Sequence, residues 1–181
     1  MPGLAVVRPA DAEETAAAWL AVLASSTPAA LVLARRPVPV GDVPVATVRD
    51  GVARGAYIVA ADEDLDCVLI ATGTEVQLAT EAAAGLRSDG VRVRVVSMPC
   101  REWFEQQSPG YRARILPAGI PRVGVEAASS FGWSDVVGTG GAFVGIDSFG
   151  LSAPADDALR ERGMTVERVV AAVTRLVSVP V

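Results

Sequence analysis

The side chains of this sequence that can do chemistry are carboxylates, arginines, hydroxyls and two thiols, because histidine is absent. Without an imidazole the chain cannot supply a histidine general base, a histidine metal ligand or a Ser-His-Asp triad. Cys67 opens one apolar run, and Cys100 follows the end of another. If those runs are parallel neighbours, the thiols lie at opposite ends of a sheet. Five residues at ~3.3 Å each then separate them by roughly 15 Å. A disulfide needs Cα atoms within about 7 Å. Two free thiols are therefore expected, consistent with a reducing compartment. Two isolated cysteines also make a poor metal site without histidine partners.

The arginine pair Arg35-Arg36 follows the apolar run Ala30–Ala34. The carboxyl edge of a parallel sheet is where ligands gather. A guanidinium there can grip a phosphate or carboxylate with two hydrogen bonds. The competing reading is a solvated or ion-paired linker arginine. Thr72-Gly73-Thr74-Glu75 joins a strand to a helix, a place that can bind phosphate. It lacks the further glycines of a dinucleotide fingerprint and the lysine of a P-loop, so a capped turn is the simpler reading. Gly138-Thr139-Gly140-Gly141 precedes a strand, the wrong order for a phosphate cradle. Glu126 closes a strand with no second placed carboxylate near it in sequence, which suits an acceptor for nearby loops. Phe131 and Trp133 sit in a loop, as packing residues or as an interface anchor.

These groups are carried by a chain with core-forming capacity. Of its 181 residues 51% are hydrophobic and 20% charged, enough for one full domain and part of another. The net charge of -5 argues against nucleic-acid or anionic-membrane binding. No apolar run reaches the ~18 residues that span a bilayer. Arg8 and Asp11 interrupt any early apolar run, so no signal peptide is expected and the cytoplasm is the default location. All 16 basic residues are arginine, which together with the Ala/Val/Gly richness points to coding bias.

Three segments follow from the pattern of apolar residues and breakers. Residues 1–36 read as one βαβ unit. Leu4–Val7 is a strand, and Asp11 caps a helix with Glu14 completing a capping box. Ala12, Ala16, Trp19, Leu20 and Leu23 share one face of that helix. Ala30–Ala34 reads as a strand buried on both faces. Two strands and one helix cannot cover such a strand, so this unit looks like the last part of a larger sheet. Residues 37–54, with Pro37, Pro39, Gly41 and Pro44, read as an irregular linker. Residues 55–181 read as a full α/β domain, a mostly parallel sheet with helices on both faces. Its strands are Ala56–Ala60 at an edge, Cys67–Ala71, Val91–Ser97, Arg122–Glu126 and Ala142–Ile146. Thr74 with Gln77 caps the helix after the second of these. Thr165 caps a last helix with a valine stripe.

Several of these segments, in order, resemble the C-terminal part of transketolases. Pro2-Gly3-Leu4 through Val7-Arg8-Pro9-Ala10-Asp11-Ala12 and Ala30-Leu31-Val32-Leu33-Ala34-Arg35 resemble the end of the pyrimidine-binding domain. Gly55-Ala56-Tyr57, Leu69-Ile70-Ala71-Thr72-Gly73-Thr74-Glu75-Val76, Val93 to Pro99 and Phe104-Glu105-Gln106-Gln107 resemble the C-terminal domain. Glu126-Ala127, Phe131-Gly132-Trp133, Gly145-Ile146-Asp147 and Phe149-Gly150 with Ser152-Ala153-Pro154 complete the series.

The resemblance implies transfer of a two-carbon ketol unit between sugar phosphates with thiamine diphosphate and a divalent metal (Mg). The family binds both in an upstream domain, and its activating glutamate and substrate histidines also lie outside the matched segments. Only Arg35 corresponds to a family site residue, the arginine that contacts the sugar phosphate. Arg36 stands where the family commonly has glutamine, and Arg101 where it commonly has an aromatic. The expectation is a subunit of a split enzyme, inactive alone, with companion chains carrying the cofactor-binding and remaining pyrimidine domains. The competing expectation is a non-catalytic module that docks a carrier protein or lipoyl arm.

Overall fold

A computed structural model describes residues 2–177. It opens with strand β1 (Ala5–Val7), helix α1 (Ala12–Ala24) and strand β2 (Ala29–Leu31), and the two strands pair in parallel with Ala5 opposite Ala29. Asp11 caps α1 by accepting the Glu14 N–H at 2.9 Å, which is half of the expected capping box. The other half is not made. The Glu14 carboxylate accepts the Ala10 N–H instead and turns inward.

Two expectations for this unit change. Strand β2 is only half-buried, and Val32 and Leu33 beyond it are exposed. On α1 it is Ala17 and Ala18 that pack inward, while Trp19, Leu20 and Leu23 are 49%, 56% and 77% exposed. The small alanines let α1 pack closely on its helical neighbour, residues 45–53, and on the buried Val7. The large apolar residues lie on the far side, where nothing described covers them.

The linker is also more ordered than its prolines suggested. Helix α2 (Val45–Ala53) follows Pro44 and packs against α1. Val45, Val48 and Val52 recur at helical spacing, and Val48 and Val52 are buried. Gly51 faces strand β3 (Tyr57–Ala61) so closely that a Cβ there would sit 2.3 Å from Tyr57 Cβ. The chain then turns through Gly55 at φ +85°, where a side chain would also strike the Cys100 carbonyl.

The remaining strands fall where the apolar pattern predicts them. They are β4 (Cys67–Ala71), α3 (Glu75–Ser88), β5 (Val93–Ser97), α4 (Arg101–Glu105), α5 (Pro109–Ile115), β6 (Arg122–Val125), α6 (Ser134–Val137), β7 (Ala142–Val144), α7 (Ala155–Glu161) and α8 (Val166–Val177). The sheet order is β3-β5-β4-β6-β7, parallel except that edge strand β3 runs antiparallel to β5. Strand β4 is central and wholly buried. Cys67, Leu69 and Ala71 face the core under α3 and α8, and Val68 and Ile70 face the core under α4 and α5. Thr74 makes no cap to α3, because its hydroxyl bonds the neighbouring Glu75, and Gln77 bonds Glu81 one turn on.

A third core joins the two sheets. Val7, Ala17 and Ala18 pack with Val48 and Val52 of α2, and with Tyr57, Cys100 and Trp103 of the larger domain. The first βαβ unit is thus seated on the second domain through an apolar contact in which α2 is a full member.

Candidate functional site: the junction at the carboxyl edges

Strand β1 ends against the carboxyl edge of the five-stranded sheet. The Arg8 N–H donates to the Pro99 carbonyl at 2.8 Å, and its own carbonyl accepts the Gly73 N–H at 3.0 Å. The chain therefore threads between the ends of β4 and β5. The Arg8 guanidinium then reaches Glu75 at 3.2 Å and pairs with Glu126 at the end of β6. Glu126 also accepts the Trp133 indole N–H at 2.7 Å, and Glu75 accepts the Ala127 N–H at 3.1 Å. These carboxylates are mostly buried, so they are useful only when paired.

This arrangement decides two sequence candidates. Thr72-Gly73-Thr74-Glu75 is no open phosphate cradle, since Arg8 fills the turn and Glu75 puts a carboxylate at the helix start. Glu126 is an acceptor that ties loops together. Trp133 packs at 4.9 Å on Phe143, whereas Phe131 is 94% exposed. Arg101 secures that loop by donating to the Gly132 carbonyl at 2.6 Å and pairing with Asp135 at 3.1 Å.

A second polar cluster lies on the inner side of α1. The Glu14 carboxylate, 1% exposed, accepts hydrogen bonds from the Tyr57 hydroxyl at 2.8 Å, the Ser97 hydroxyl at 2.6 Å and the Ala10 N–H at 2.7 Å. Burial raises its pKa above the ordinary carboxylate value, and the hydrogen bonds from Ser97, Ala10 and Tyr57 oppose that rise. Burial likewise pushes the Tyr57 hydroxyl up. Sequence reading missed this cluster, although a signal existed. Glu14 shares one narrow stripe with the small residues Ala17, Ala18 and Ala21, the true inner face of α1.

Arg35 stands beyond β2 and is exposed. Among the described residues it has no ion-pair partner, whereas Arg36 pairs with Asp156 of α7 at 3.2 Å. Both cysteines are buried and free, and burial pushes each thiol up to about 12, which leaves them unreactive at neutral pH. Among the described residues no three His, Cys, Asp or Glu side chains converge to hold a metal ion. What the fold presents is an α/β domain with a two-stranded parallel sheet fastened to it, and beyond that sheet the exposed Arg35, which has no ion-pair partner among the described residues.

Residues 55–165 match the transketolase-like TK C-terminal domain, and the chain belongs to that family. A relative named probable transketolase, from Streptococcus pneumoniae serotype 4, is 50% identical over 179 residues, which is 97% of this chain and 27% of the relative. The transketolase structure from Leishmania mexicana superposes with a TM-score of 0.91 at 44% identity, covering 98% of this chain and 26% of that one. A structure described as a split gene transketolase, an inactive beta4 tetramer, shares the fold with a TM-score of 0.79 at 24% identity. The match covers 98% of this chain and 59% of that one. The chain spans about a quarter of the length of the curated relatives it matches.

Proposed function

We propose that this chain works as the C-terminal subunit of a split transketolase-like enzyme, completing the fold and contributing Arg35 as a sugar-phosphate contact. Its substrates are a ketose phosphate donor and an aldose phosphate acceptor, between which a two-carbon ketol unit moves. Companion chains hold thiamine diphosphate and Mg, which supply the reactive carbon, and this chain alone is inactive.

The observation that carries the reading is the open β1–β2 unit. A two-stranded parallel sheet is not self-sufficient, because parallel strands are normally sandwiched by helices and flanked by further strands. Here Val6, Val32 and Leu33 are exposed on or beside the strands, and Trp19, Leu20 and Leu23 are exposed on the helix. Such a surface calls for a covering chain. Arg35 lies beside it. The shared fold with a structure described as split gene transketolase supports the same reading.

The test is co-expression with a chain that carries the cofactor-binding and pyrimidine domains. A stable complex should co-purify and transfer two-carbon units only when both chains, thiamine diphosphate and Mg are present. Leu23→Asp should abolish co-purification. Arg35→Ala should leave the complex intact and raise KM for phosphorylated substrates about tenfold or more, the scale of one lost charge-assisted contact. Robust turnover by the pure chain overturns the proposal. Capture of a lipoyl or carrier domain without the companion chains turns it toward the docking alternative.

A further inference from the structure

A groove of about 540 Å³ opens on the side of α1 away from Trp19, where five segments meet. Its walls are the start of α1, residues 38–44, the first turn of α2, strand β3 and helix α3. This volume lies within the about 300–1,000 Å³ typical of small-molecule sites. Val38, Val43, Ile58 and Val76 make most of the surface apolar. The wall formed by residues 38–44 is held in place, because the Gly41 N–H donates to the Asp11 carboxylate at 2.9 Å.

The charge of the lining has one sign. Asp11, Glu13, Glu14, Asp42 and Glu81 all border the groove, and no arginine does. The chain has no lysine or histidine that could balance them. Glu14 is the most exacting of the five. It is buried, and its hydrogen bonds come only from neutral donors: a backbone N–H and two hydroxyls. A buried carboxylate is normally accompanied by a cation. Burial, with the neighbouring Asp11 carboxylate adding to it, raises the pKa of Glu14.

We propose that this groove binds a small organic cation: one ammonium group on a short aliphatic or aromatic body. The ammonium answers the acidic rim, and the body lies on the valine and isoleucine walls. A bare metal ion fits less well, since no three of these carboxylates converge as ligands among the described residues. An anionic ligand would meet only like charge. Arg35 is not among its lining residues.

The experiment is a titration of the full chain at neutral pH, followed by NMR and by thermal shift. The probes are cyclohexylamine and 2-phenylethylamine, each beside its neutral counterpart, cyclohexanol or 2-phenylethanol. At least one amine should saturate, with shifts centred on Val43, Ile58 and Val76. Its alcohol should bind about tenfold more weakly, the factor expected for one partly screened charge interaction. Glu13 is half-buried and Glu81 exposed, so the double variant Glu13→Gln, Glu81→Gln should fold normally. It should lose about fivefold or more in amine affinity while alcohol binding is unchanged. Equal binding of amine and alcohol, equal binding of the amine by wild type and double variant, or no saturation by either amine would each overturn the proposal.

Discussion

Strands β4 and β2 are built from nearly the same material and meet opposite fates. Cys67–Ala71 reads CVLIA and is wholly buried between two helix layers and two neighbouring strands. The segment Ala30–Ala34 reads ALVLA, yet it is half-buried at best, with Val32 and Leu33 in the open. The same contrast separates two helices. On α8 the stripe through Val169 and Val173 is buried, while on α1 Trp19, Leu20 and Leu23 are not. Burial is not a property of the segment. It depends on whether the chain returns to cover it, and in the larger domain it does so on both faces.

This contrast can be broken by mutation. Leu69→Ala, in a wholly buried position, should cost about 2–5 kcal/mol of unfolding free energy through lost burial and the cavity it leaves. Urea denaturation measures it. Removing the carboxylate with Glu14→Ala should cost about 1–3 kcal/mol, because it orphans the Ala10 N–H and the Tyr57 and Ser97 hydroxyls. Arg8→Ala should cost about 1–2 kcal/mol, a value reduced because the guanidinium is 21% exposed. It should also shift Trp133 fluorescence as Glu126 loses its partner. The smallest effect should be that of Leu23→Ala, within about 0.5 kcal/mol for the isolated chain. A large loss there would mean that α1 is already covered in the isolated chain, for instance by self-association, and would erase the contrast.

The pH dependence of Glu14 sharpens the comparison further. Its pKa in the folded chain is raised above 4.5, so the native state holds that proton more tightly than the unfolded chain. The stabilisation tied to the proton is complete below pH 4.5 and is lost as pH climbs through the folded value. Glu14→Gln cannot titrate and lacks this slope. Unfolding measured between about pH 4 and about pH 8 should therefore show wild type losing stability relative to the glutamine variant as pH rises. A flat difference would mean that the site stays ionised throughout.

Much of the architecture was legible in the residues. The Asp66–Cys100 stretch reads as strand, turn, helix and strand, and it folds as β4, α3 and β5 in parallel register. Strand β3 lies at the edge of the sheet, as expected for the Ala56–Ala60 segment. Helix α2 was obscured because Pro37, Pro39 and Pro44 dominate its surroundings, although its valine spacing carried the signal. The inner face of α1 was hidden in the sequence because its large apolar residues lie on the opposite side, whereas the close contact with α2 selects alanine.

The sequence by itself determined the secondary-structure alternation, the family resemblance and the absence of any histidine chemistry, because each is written in local pattern or composition. Only the tertiary structure decided which apolar face is covered and which carboxylates are paired. Glu14 meets Tyr57 across 43 positions and Ser97 across 83, and Arg8 meets Glu126 across 118. Periodicity can assign a residue to a face. It cannot say what lies opposite, because that contact is set by the return path of the chain and by the space its neighbours leave.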